Sequence, residues 1–149
     1  MQVVTDAGGR SFEIELDVRW SDQDHLGHVN HVVAVGYLAE ARLRWLAQHA
    51  TGEGHTDFHS PRVVVSLSID YLDAMFAGSP LTIAMRVVHI GTKSYTLSYE
   101  ARQAGALKMT ASTVLVTAGE HGVIRPITVA ERAYLANFQQ PPPSRLPNS

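Results

Sequence analysis

The chain has 149 residues, with 12 Lys and Arg against 14 Asp and Glu, and no cysteine. That length suits one domain burying roughly 70% of its unfolded surface without a disulfide or structural metal, and the missing cysteines exclude a thiol nucleophile and a zinc ribbon. A formal net charge of -2 is the wrong sign for a general nucleic-acid binder, and no apolar run approaches the ~20 residues of a membrane span. The N-terminus has no basic region leading into an apolar stretch, so a cytoplasmic protein is expected.

Residues 1–10 are small and polar and are expected to be loosely held. Phe12, Ile14, Leu16, Val18 and Trp20 then alternate with Glu13, Glu15, Asp17 and Arg19, the period of a half-buried strand. A polar loop follows from Ser21 to Asn30. From His31 to His49, apolar residues at Val32, Val35, Leu38, Ala39, Leu43 and Leu46 recur at helical spacing. Gly36 costs about 1 kcal/mol against alanine inside a helix, so packing must hold this one. Its valines and Trp45 spread over several faces, which predicts a buried helix.

After a loop ending at Pro61, four further alternating runs appear: Val63 to Tyr71, Leu81 to Val87, Tyr95 to Ala101 and Leu107 to Leu115. Gly78-Ser79-Pro80, Gly91-Thr92 and Gln103-Ala104-Gly105 punctuate them, and such short connections favour antiparallel pairing. Tyr71, Tyr95, Tyr99 and Trp45 fit the apolar alternation and are expected in the core. The opposite face carries Ser66, Ser68, Thr82, Ala84, Thr96, Ser98, Thr110 and Ser112, which suits either water or another subunit. A short helix is predicted over Val129–Phe138, and the residues from 140 to 149 have the composition of a disordered, proline-rich tail. One long helix against about five antiparallel strands is an α+β domain spanning 11–139.

The loop Ser21-Asp22-Gln23-Asp24-His25-Leu26-Gly27-His28-Val29-Asn30 is the most unusual segment and the candidate place for chemistry. It joins a strand to the N-terminus of the long helix, where unpaired N–H groups and the helix dipole favour negative charge. Acyl transfer needs a group to activate a nucleophile and donors for a developing oxyanion; a carboxylate and a helix start supply both. No G-x-S-x-G elbow is present. Each residue also has a plainer role. Asp24 suits an Asx-turn, Asp22 a structural tie although it is also a second candidate base, and Asn30 a helix N-cap. Gly27 suits a positive φ or close approach of substrate. His28 suits a hydrogen bond within the loop or across a dimer. His25, His28 and His31 with Asp22 and Asp24 invite a metal, but three-residue histidine steps share a face only on a helix, which Gly27 and the polar loop oppose. No metal or cofactor is expected.

The stretch VRWSDQDHLGHVNHVVAVGYLAEARLRWL resembles the D-x-D-x-x-G-H-V-N-N segment of hotdog-fold thioesterases, in the branch of the 4-hydroxybenzoyl-CoA and long-chain acyl-CoA thioesterases. VVVSLSIDYLDAMFAGSPL, HIGTKSYTLSYEAR and RPITVAERAYLANF resemble the later motifs in order, so the likeness spans about residues 12–138. It implies an antiparallel sheet wrapped around one long helix, in a homodimer or homotetramer with sites between subunits. The implied reaction is hydrolysis of acyl-CoA thioesters. The second acid of D-x-D, Asp24, would be the catalytic base or nucleophile, and the backbone N–H of His31 would polarise the carbonyl. Gly27, His28 and Asn30 would shape the substrate loop, and Lys93 with Ser94 would meet coenzyme phosphates. Three positions depart from the pattern: His31 replaces the second Asn, Ala34 replaces a common tyrosine, and Lys93 stands alone in a usually basic cluster. A thiolate of pKa about 8.5 leaves without strong protonation, so one carboxylate plus oxyanion donors can suffice. A carboxylate is a weak base unless desolvation strengthens it, so Asp24 is expected to be partly buried beneath bound substrate. An acyl-carrier-protein thioesterase and a non-catalytic acyl-CoA-binding protein are the alternatives.

Overall fold

The computed structural model describes residues 1–140. Strands β1 (Gln2–Asp6) and β2 (Gly9–Leu16) form a hairpin. Helix α1 (His31–Arg42) follows and continues over Leu43–Ala50 with a wider, π-type turn. Strands β3 (Arg62–Tyr71), β4 (Leu81–Ile90), β5 (Ser94–Gln103) and β6 (Ala106–Thr117) come next, then helix α2 (Val129–Ala136). The strands make one sheet in the order β1-β2-β4-β5-β6-β3, antiparallel throughout.

The period-two pattern accounts for the sheet's two faces. Leu81, Ile83, Met85 and Val87 of β4 and Tyr95, Leu97, Tyr99 and Ala101 of β5 are buried, while the residues between them are half-buried. Against this face lies the long helix, burying Tyr37, Leu38, Ala41, Trp45, Leu46 and Ala50. Trp45 is the centre of the packing. Its ring stacks on Phe12 at 5.6 Å and meets the edge of Phe138 at 5.0 Å. Its indole N–H donates to the Tyr134 hydroxyl at 2.9 Å. Removing a buried aromatic of this size costs about 3–5 kcal/mol, so helix, sheet and α2 stand or fall together.

The expected α+β architecture is present, with six strands rather than about five. The additional strand is Gln2–Asp6. Only Val4 in it is even half-buried, so there is no core-facing alternation from which to read it. The run predicted from Phe12 to Trp20 stops as a strand at Leu16; the chain then turns over Trp20–Asp22, leaving Trp20 exposed. The closing helix ends at Ala136. Of the expected tail, residues 141–149 lie outside the described residues.

Strand β3 differs most from its sequence expectation. A bulge at Val65 shifts its register against β6: Val64 pairs with Leu115 before it and Leu67 with Thr113 after it. The extra residue reverses the faces, so Val64 rather than Val63 shares the core side with Leu115. The strand is also a sheet edge. The helix packs over β2 and β4, and Val63, Val64, Val65, Leu67 and Tyr71 stay exposed. Tyr71, expected in the core, is therefore 46% exposed. Tyr95, Tyr99 and Trp45 are buried, as expected.

Candidate active site

The loop after β2 is a small hairpin. Gln23 bridges Val29, the Asp24 N–H donates to the His28 carbonyl at 3.0 Å, and the Gly27 N–H donates to the Asp24 carbonyl at 3.0 Å. Gly27 has φ +84 with nothing near a would-be Cβ, so positive φ is what calls for glycine here. Asn30 caps α1, its side chain accepting from the Val32 N–H at 2.8 Å.

Asp22 forms the floor of the loop and is buried. Its carboxylate accepts from the Tyr37 hydroxyl at 2.7 Å, the Arg19 N–H at 3.1 Å and the Arg19 guanidinium at 3.3 Å. Its carbonyl accepts from the Asn30 N–H at 3.1 Å. Burial pushes the Asp22 carboxyl up, but the Tyr37 and Arg19 hydrogen bonds outweigh it and hold the group below its ordinary 3.8. Burial, and then the neighbouring Asp22, pushes the Tyr37 hydroxyl well above 10.0. Asp22 is a tie between strand exit, helix start and helix middle.

Asp24 stands on the rim, half-buried. One oxygen accepts from the Leu26 N–H at 2.9 Å, the Asx-turn anticipated from sequence. The other oxygen has no hydrogen-bond partner among the described residues. Two clefts meet at this side chain. One of about 410 Å³ is lined by Asp24, His28, Val29, His31, Tyr71 and Met75 among others. The other, of about 390 Å³, is lined by Trp20, Gln23, Asp24, His25, Gly27 and Phe76 among others. The first cleft includes His31, the first residue of α1, whose backbone N–H likewise finds no acceptor among the described residues. An uncommitted carboxylate oxygen and an uncommitted helix-start N–H thus border one cleft. His28 sits edge-on to Phe76 at 5.9 Å. Among the described residues no three His, Asp or Glu side chains gather as a metal site requires.

Residues that the sequence did not single out hold the cleft's far wall. Gln23 accepts from the Ala77 N–H at 2.7 Å, and the Val29 N–H donates to the Met75 carbonyl at 2.8 Å. Gln103, buried at the end of β5, accepts from the Phe76 N–H and donates to the carbonyls of Phe76 and Ser79. The available signal for Gln103 was a polar residue continuing the apolar phase of its strand beyond Ala101.

Lys93 and Ser94 are elsewhere. They open β5 beside Thr117, whereas Gln103, at the other end of that ten-residue strand, braces the Asp24 cleft. A strand of that length spans on the order of 30 Å. Within one chain the two halves of the expected site are not brought together.

Residues 18–138 match the family described as the thioesterase-like superfamily. No curated protein sequence matches the chain significantly. Among solved structures, a predicted thioesterase from Bacillus stearothermophilus superposes with TM-score 0.78 at 22% identity, over 89% of this chain and 98% of that one. A Thermus thermophilus thioesterase, solved with coenzyme A and zinc, gives TM-score 0.71 at 29% identity, over 85% and 92%. A thioesterase-superfamily structure from Jannaschia gives 0.73 at 24%, over 85% and 82%. The hotdog fold expected from the motifs is the fold of this chain.

Proposed function

The chain belongs to the thioesterase-like superfamily, and from that premise we propose that it hydrolyses acyl-coenzyme A thioesters, siding with the 4-hydroxybenzoyl-CoA and long-chain acyl-CoA branch. The substrate carbonyl lies in the cleft between Asp24 and the start of α1. The His31 N–H, helped by the helix dipole, stabilises the charge that develops on the carbonyl oxygen. Asp24 either activates water or attacks the carbonyl itself, and coenzyme A leaves as thiolate. Gly27, His28 and Asn30 shape the loop around the acyl group. What carries this reading is the pairing of one free Asp24 oxygen with one free helix-start N–H at a single cleft.

The remote Lys93 and Ser94 fit the same reading if two chains join along β3. That edge is apolar, exposed and ten residues long, and an unpaired edge of this kind pairs readily with another strand. Antiparallel pairing about a two-fold axis would set the Lys93 end of one chain beside the Asp24 end of the other. We therefore propose a homodimer, alone or within a homotetramer, with Lys93 and Ser94 meeting coenzyme phosphates across the interface. The coenzyme A held by the Thermus relative supports a CoA ester over an acyl-carrier-protein ester. A cytoplasmic setting completes the proposal; among the described residues no helix is long and apolar enough to cross a membrane.

The test is release of free thiol from a panel of acyl-CoAs and acyl-carrier proteins. Turnover of the CoA esters, abolished in Asp24→Asn, is expected. Turnover only on carrier protein would move the substrate class, and binding without thiol release would make the chain a non-catalytic acyl-CoA-binding protein.

A further inference from the structure

We propose that Tyr71 is a positioning residue for the oxyanion donor, acting through the first peptide group of α1; this rests on the His31 N–H being that donor. The Tyr71 hydroxyl, at the end of β3, donates to the His31 carbonyl at 2.8 Å across 40 residues of sequence. That carbonyl and the Val32 N–H belong to one peptide group. The N–H end is held by the Asn30 side chain at 2.8 Å, so the group is clamped at both ends. On the other side of the free N–H, the Asn30 N–H is tied to the Asp22 carbonyl at 3.1 Å. The 30–31 peptide, which carries the unpaired His31 N–H, lies between two fixed neighbours and has little freedom to swing away from a substrate.

A helix-start carbonyl normally has its acceptor need met from within the helix, and it retains a second lone pair. The Tyr71 hydroxyl takes that position from outside. Its ring stands edge-on to the His31 imidazole at 6.4 Å and 87°. The ring lines the same cleft as Asp24 and His31. Burial pushes the hydroxyl above its ordinary 10.0, so it keeps its proton at neutral pH. Orientation of such donors matters, because misplacement by about 1 Å can cost on the order of 100-fold in rate.

Tyr71→Phe removes the hydroxyl and keeps the ring. On acyl-CoA we expect kcat to fall roughly 10-fold, less than the ~100-fold or more of losing an oxyanion donor outright. KM should stay within about 2-fold, since ground-state contacts are untouched. The Val32 amide, on the clamped peptide, should exchange with solvent faster, while the melting temperature stays near that of the wild type. A wild-type kcat in Tyr71→Phe, with Asp24→Asn inactive, would overturn the role of Tyr71 and leave the function standing. A wild-type protein without turnover would sink the function instead, and Val32 exchange then decides whether Tyr71 holds the helix start: unchanged exchange overturns it.

Discussion

Asp22 and Asp24 occupy two regions of one loop, the floor and the rim. On the floor both oxygens of Asp22 are engaged, and its carbonyl ties down the N–H of Asn30. On the rim, Asp24 uses one oxygen to turn the chain and leaves the other facing open space between two clefts. The two residues are of one type and lie two positions apart in the D-x-D pattern. Their partners separate them: a carboxylate whose acceptor capacity is filled holds structure, and one left partly free is available to a substrate. The same contrast divides the backbone, where the N–H groups of Asn30 and Val32 are satisfied and that of His31, between them, is not.

The strongest way to break this contrast is to exchange effects between the two acids. Asp24→Asn keeps the amide oxygen that accepts from Leu26, so stability should change by no more than about 0.5 kcal/mol. With Asp24 in its proposed role, as base or nucleophile, its loss should lower thiol release by about 10²–10⁴-fold or more. Asp22→Ala should do the reverse. The buried Tyr37 hydroxyl loses its acceptor, at about 1–3 kcal/mol, while the mostly solvent-exposed Arg19 adds little. Urea unfolding should register that loss. A large stability change at Asp24, or none at Asp22, would undo the distinction.

Acid sharpens it. Because the folded-state pKa of Asp22 lies below 3.8, its stabilising contribution is complete above the unfolded value and is lost as pH falls through the folded value. Unfolding midpoints measured from pH 6 down to pH 2 should therefore fall more steeply below about pH 4 in the wild type than in Asp22→Asn.

The smallest effects concern the backbone that separates floor from rim. Gly27→Ala forces a side chain into a left-handed conformation at about 1–2 kcal/mol, and thermal unfolding should show it. Gly36, by contrast, sits inside α1 with nothing near a would-be Cβ. Gly36→Ala should raise stability by about 0.5–1 kcal/mol; a loss there would mean that something covers this stretch of helix.

How much of this was legible beforehand follows the same logic of partners. Strands β4, β5 and β6 and the long helix were readable because one face of each is buried, so the chemical alternation repeats the burial. Strand β1 was invisible because neither of its faces is buried. The bulge at Val65 was hidden within a run of three valines, each of which suits either face. At the site, the Asx-turn of Asp24, the cap at Asn30 and the positive φ of Gly27 follow from local chemistry and could be read from adjacent letters. The ties from Gln103 to Phe76, from Tyr37 to Asp22 and from Tyr71 to His31 join residues 15 to 40 positions apart. Such long-range hydrogen bonds leave no periodic signature, so Tyr71 read as one more apolar position. Lys93 is the opposite case: its likeness to the family motif is local, and its distance from Asp24 emerges only once the sheet is assembled.

The most direct measurement is a crystal structure with a non-hydrolysable acyl-CoA thioether ketone bound. The expected result is a ketone oxygen within about 3 Å of the His31 nitrogen, with the free Asp24 oxygen facing the carbonyl carbon. A ligand seated with its carbonyl away from the start of α1, or an Asp24 carboxylate with both oxygens engaged by the loop, would contradict the account.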